Sequence, residues 1–82
     1  MWVHSKRAGD LCIDIIKGIV EYCRLAGDDP WLNAMIAYEL LEDAYFAFEL
    51  SDSEKGVEDR LHNLHLWLWE NIEKLEKEKE ER

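Results

Sequence analysis

The sequence predicts an all-α protein of three helices folded as antiparallel hairpins, a unit that pairs with a second copy into a helical-bundle homodimer. Three observations predict it. Apolar residues recur at three- and four-residue steps through most of the chain. The two breaks in that pattern each carry a turn signature followed by a helix start. Finally, 48% of the 82 residues are hydrophobic, including four Trp, three Tyr and two Phe, which is more apolar surface than three short helices hide. A chain of this length makes one domain, 1–82.

The first helix is expected over about 5–26. Ala8, Cys12, Ile15, Ile16, Ile19, Cys23 and Ala26 draw one apolar stripe, with Asp10, Asp14, Lys17, Glu21 and Arg24 opposite and Lys17–Glu21 one turn apart. Gly18 costs such a helix about 1 kcal/mol relative to Ala, which points to tolerance or to a close backbone approach. Gly27 is a natural C-cap.

Asp29 as N-cap and Pro30 at the first helical position open a second helix over about 30–50. Ala34, Ala37, Leu41, Ala44, Tyr45 and Phe48 form one apolar side, and Leu32, Ile36, Leu40 and Ala47 form another. A helix apolar on two sides packs against two partners, which predicts that this helix is central.

Ser51 and Glu54 match a capping box, so the third helix is expected over about 54–79. Its core stripe is Val57, Leu61, Leu64, Leu68, Ile72 and Leu75, which leaves Leu66, Trp67 and Trp69 as spare apolar surface. Glu70–Lys74, Glu73–Lys77 and Glu78–Arg82 are favourable i,i+4 pairs, and residues 76–82 form a solvated charged tail.

Charge precedes any apolar run in Met-Trp-Val-His-Ser-Lys-Arg, so no secretory leader is expected. No apolar run approaches the roughly 18 residues of a membrane span. These features predict a cytoplasmic protein with no membrane association. Cys12 and Cys23 lie about 16 Å apart along one helix, too far to bridge, and read as small buried hydrophobes. The chain has no Thr and no Gln and is 35% charged, a composition suited to a high-temperature organism, an archaeon or one of its viruses or plasmids.

The net charge of −9 is confined to the middle of the chain: residues 1–27 carry +1, residues 28–59 carry −9 and residues 60–82 carry −1. With no basic patch, direct nucleic-acid binding is not expected. The acidic face Glu39, Glu42, Asp43 and Glu49 is read instead as a surface for another protein. Alternatively, its carboxylates imitate a phosphate backbone and occupy a nucleic-acid-binding protein. The plainer alternative is that charge keeps an apolar-rich protein soluble.

Two patterns could carry chemistry. An antiparallel hairpin about residue 52 brings Glu42 level with His62 and Glu39 level with His65, and Glu58, His62 and His65 share a face at i, i+4, i+7 spacing. Helices offering carboxylates and imidazoles at one level are how bundle metal sites are built, so Glu39, Glu42, His62 and His65 are candidate ligands for a divalent metal such as Zn, Fe or Mn. Glu–His hydrogen bonds on a solvated groove are the competing reading, and no other cofactor is expected. The second pattern, Arg60-Leu-His-Asn-Leu-His65, resembles the RxxxxH motif of the HEPN family, small helical proteins whose dimers often act as ribonucleases. Trp2 with Ala8-Gly-Asp10-Leu11 is similar to the opening helix of those domains. The chain departs from them in being short, in placing Leu61 where a polar residue usually follows the Arg, and in the helix that carries the motif. The resemblance implies a ribonuclease in which Arg60 and His65 carry the reaction and His65 is the acid/base.

The sequence thus predicts, first, a non-enzymatic interaction or adaptor protein that self-associates through Tyr45, Phe48, Leu66, Trp67 and Trp69. The acidic inhibitor and the HEPN-like or metal-dependent enzyme are the alternatives.

Overall fold

Each helix begins where a side chain can take over an orphaned backbone N–H. The computed structural model describes residues 3–81, which form α1 (Lys6–Ala26), α2 (Pro30–Glu49) and α3 (Glu54–Glu80), with no strand among them. Trp2 and Arg82, and with them part of the HEPN resemblance and the Glu78–Arg82 pair, lie outside the described residues. The Ser5 hydroxyl oxygen accepts from the Ala8 N–H at 3.1 Å, and α1 ends at Gly27, whose φ of 132° suits only glycine. The Asp29 carboxylate accepts from Trp31 and Leu32 at the start of α2, with Pro30 in the first turn.

The cap of α3 differs from the capping box. Ser53 is the N-cap, accepting from the Gly56 N–H at 3.1 Å. Ser51 instead donates to the Ala47 carbonyl and closes the end of α2. Glu54 reaches across to α1, where its carboxylate accepts the Ser5 N–H at 2.7 Å and meets His4 Nδ1 at 3.0 Å. Glu58 accepts the Ser5 hydroxyl proton, and the His4 ring stands edge-on to Phe48. All three helices therefore meet at the start of α1.

The core comprises Ala8, Leu11, Ile15, Ile19 and Leu25 of α1, Leu40 and Ala47 of α2, and Val57, Leu61, Leu68 and Ile72 of α3. The α3 stripe is the one expected, with Leu64 and Leu75 half-buried at its edges. The α1 stripe is rotated: Leu11, Gly18 and Leu25 turn inward and Ile16 is 54% exposed. The cause is Gly18, where Leu68 and Trp69 approach the helix backbone closely and draw that side of α1 onto α3. The expected Lys17–Glu21 pair is replaced by Glu21–Arg24.

The expectation that α2 is central is also corrected. The broadest interface joins α1 and α3, which run in the same direction, as the contacts Ser5–Glu58, Asp14–His65 and Gly18–Leu68 show. Helix α2 lies across them and buries only Leu40 and Ala47, because a single partner pair takes only one of its two apolar sides. The molecule measures 44 × 23 × 20 Å, and the 27 residues of α3, about 40 Å at 1.5 Å per residue, set the long dimension. Residues 76–81 are exposed, and among the described residues no helix is long and apolar enough to cross a membrane.

Candidate functional site

The histidines and carboxylates proposed as metal ligands sit on different faces. His65 points toward α1, with Nε2 3.9 Å from Asp14 Oδ2, and its ring is flanked by His62 at 6.5 Å and Trp69 at 6.4 Å. Its Nδ1 is buried and has no hydrogen-bond partner among the described residues. The side of α3 that faces α2 carries Arg60, Asn63 and Leu64, which line a cleft with Asp43, Phe46 and Ala47. The level of the α2–α3 hairpin is as expected, since Asp43 and Arg60 come together near the height proposed for Glu42 and His62. The rotation of α3 is not, and it turns both histidines away from Glu39 and Glu42. Glu58 is engaged by Ser5. Among the described residues no three His, Cys, Asp or Glu side chains form a group able to hold a metal ion.

Arg60 and His65 are separated in the same way. Five residues along a helix is roughly a 140° turn, so Arg60 opens onto the α2 cleft while His65 faces α1. Within one chain they do not converge on a common point.

The predicted interface residues do not form one patch. Phe48 is half-buried against the core and His4. Trp67 and Trp69, two residues apart, point roughly 160° from one another. Trp67 stacks on Tyr22, with ring centres 6.4 Å apart, and Trp69 covers Gly18. Leu66 and Tyr45 are exposed on other flanks.

The largest apolar surface lies on α2, where Trp31, Leu32, Met35, Tyr38, Leu41, Tyr45 and Phe46 are all exposed, Trp31 by 80%. Tyr38, Leu41, Glu42, Tyr45 and Phe46 line a shallow cleft of about 370 Å³. In it the Tyr38 hydroxyl donates to the Glu42 carboxylate, and that hydrogen bond, with the carboxylate charge, pushes the Tyr38 phenol above its ordinary range. Glu39, Glu42, Asp43 and Glu49 are all exposed, and α2 contains no Lys or Arg. This helix is therefore an aromatic surface rimmed only by negative charge.

A second apolar row escaped the sequence reading. Ile13, Ile16 and Val20 are 53%, 54% and 65% exposed on α1. Their i, i+3, i+7 spacing was the available signal, masked by placing Ile16 in the core stripe. Comparison with protein-family models, curated proteins and solved structures finds no match to this chain.

Proposed function

We propose that the chain is a small, non-enzymatic interaction or adaptor protein that self-associates and offers the acidic face of α2 to another protein. One observation carries this reading. Helix α2 spans 20 residues, buries two, and exposes seven large apolar side chains. A monomeric soluble protein rarely displays so large a contiguous apolar surface, and surfaces of this kind mark protein contacts. Large aromatics and Met are enriched in interface cores, and the carboxylates around them suit a polar rim that selects a cationic partner. Imitation of nucleic acid draws support from the same exposed carboxylates, but bulky aromatic side chains interrupt them, where a phosphate backbone presents an unbroken charged edge.

Solution mass by light scattering behind a sizing column tests the reading. A mass of about twice the 9.8 kDa chain is expected. A monomer at all concentrations up to about 100 μM would remove self-association from it.

A further inference from the structure

We infer that the second copy docks on the face formed by α1 and α2, not on α3, and that the dimer core is an antiparallel four-helix bundle of α1, α2 and their two-fold mates. The inference rests on the self-association proposed above and specifies its surface.

The α3-facing side of α1 is marked by Asp14, Gly18 and Tyr22, which meet His65, Leu68 and Trp67. The α2-facing side is marked by Cys23, whose thiol donates to the Asn33 carbonyl at 3.5 Å. Ile16 lies one turn beyond Cys12, and Val20 three residues before Cys23, so the exposed row Ile13–Ile16–Val20 borders α2 on the side away from α3. On α2, Asp43, Phe46 and Ala47 face α3. The Asn33, Ala37, Ala44 and Phe48 row faces α1, and Leu41 with Tyr38 and Tyr45 lies just outside it. The Cys23–Asn33 contact also sets the register of the antiparallel pair, in which Ile13, Ile16 and Val20 fall within about two residues of the levels of Tyr45, Leu41 and Tyr38 respectively. Six exposed apolar side chains from two helices therefore form one continuous face.

Charge along its edges selects the occupant. Lys17 edges the face on α1, and Glu42 and Glu49 edge it on α2. A two-fold axis parallel to the helices lays α1 of one copy antiparallel on α2 of the other. Lys17 then reaches the partner's Glu42, while the small Ile and Val side chains pack against the partner's Tyr38 and Tyr45. An axis across the helices would instead set acidic rim on acidic rim. The face is self-complementary in the first orientation only, as an isologous contact must be. Taking ~150–250 Å² for an aromatic side chain and the lower end of that range for Ile, Val and Leu, the exposed parts of the six come to roughly 500–700 Å² per chain. With the rims this approaches the ~800 Å² that each partner gives to a standard interface. The arrangement also places α1 and α2 between two apolar neighbours, which accounts for the second apolar side of both helices.

The test is light scattering and sedimentation on the full chain, four single variants and one double variant, with helicity checked by circular dichroism. Ile16→Glu buries an unpaired carboxylate in the seam and should raise the dimer dissociation constant about a hundredfold or more. Leu66→Glu, on the far side of α3, should leave it unchanged. Lys17→Glu and Glu42→Lys should each weaken the dimer about five- to tenfold, and their combination should restore it. A wild-type monomer would overturn both this proposal and the self-association on which it rests. A dimer that survives Ile16→Glu and dissociates with Leu66→Glu would overturn only this proposal and move the interface to α3. If Ile16→Glu dissociates the dimer but the Lys17/Glu42 pair shows purely additive losses, α1 does not lie on the partner's α2 and the bundle geometry fails.

Discussion

A Cβ placed on Gly18 would stand 2.6 Å from Cδ2 of Leu68, closer than carbon atoms approach without one of them moving. Leu68 has no room to move, being fully buried, and Trp69 closes the other side at 3.2 Å. Gly18→Ala gains about 1 kcal/mol in helix propensity but forces the central α1–α3 contact apart. The expected outcome is a net loss of about 1–2 kcal/mol, or a melting temperature lower by about 4–16 °C for a domain of this size. A variant as stable as wild type would show that α1 and α3 can separate at this point without cost.

The same contact explains how much of the fold could be read in advance. Element bounds and most caps were legible because they depend on residues near in sequence: Asp29, Pro30 and Gly27 do what their side chains and φ preferences dictate. Axial level was legible too, because a short turn sets which residues of α2 and α3 come abreast. Rotation about each axis was not. Apolar residues cover so much of α2 that nothing in it selects an inward side. The dominant α1–α3 pair runs parallel, with no tight turn joining it to announce a register. Hence Ile16, expected inside, is outside, and His62 and His65, expected toward Glu42 and Glu39, lie on another side of α3, where His65 meets Asp14 of α1 and His62 stacks beside it. Gly18 was the one local signal of which side of α1 meets α3.

Glu54 couples stability to pH. The Ser5 N–H bonded to its carboxylate, and then the His4 side chain, hold it below the ordinary glutamate value. A carboxyl with a depressed folded-state pKa contributes its full stabilisation above the unfolded value of about 4.3 and loses it as pH falls through the lower folded value. Wild-type protein should lose thermal stability between pH 5 and pH 3, and Glu54→Gln should lose less over that interval. Parallel curves for the two proteins would mean that the Ser5 contact does not operate in solution.

His65 is a structural residue on this reading, and its buried, unpartnered Nδ1 is a cost to the fold. Replacing a buried polar group that lacks a partner with an apolar one of similar size is neutral or stabilising. His65→Leu should therefore hold or raise the melting temperature and leave the solution mass unchanged. A marked loss of stability, or loss of an RNA-cleaving activity measurable in wild type, would return His65 to a functional role with Arg60.

Cys12 and Cys23 are half-buried, and burial pushes both thiols above their ordinary pKa. Since the thiolate is the reactive form, alkylation by iodoacetamide at pH 7.5 should be slow in the folded protein and complete in denaturant. Rapid native modification of either residue would mean that the α1–α2 seam opens readily.

Helix α2 should be the least protected element of the free chain. Opening free energy scales with buried apolar contact, and α2 contributes Leu40 and Ala47 to a core that α1 and α3 otherwise supply. Its amides should exchange with solvent faster than those of Leu61 through Ile72 on α3 when the protein is dilute. Association that covers Tyr38, Leu41 and Tyr45 adds binding free energy to the closed form in proportion to the logarithm of the protein concentration. Protection of α2 should therefore rise as concentration passes the dimer dissociation constant, while protection at the centre of α3, whose buried side is already occupied, changes far less. Uniform protection across the three helices, independent of concentration, would mean that α2 is held by its contacts within one chain. Its exposed aromatic surface would then contribute nothing to the assembled state.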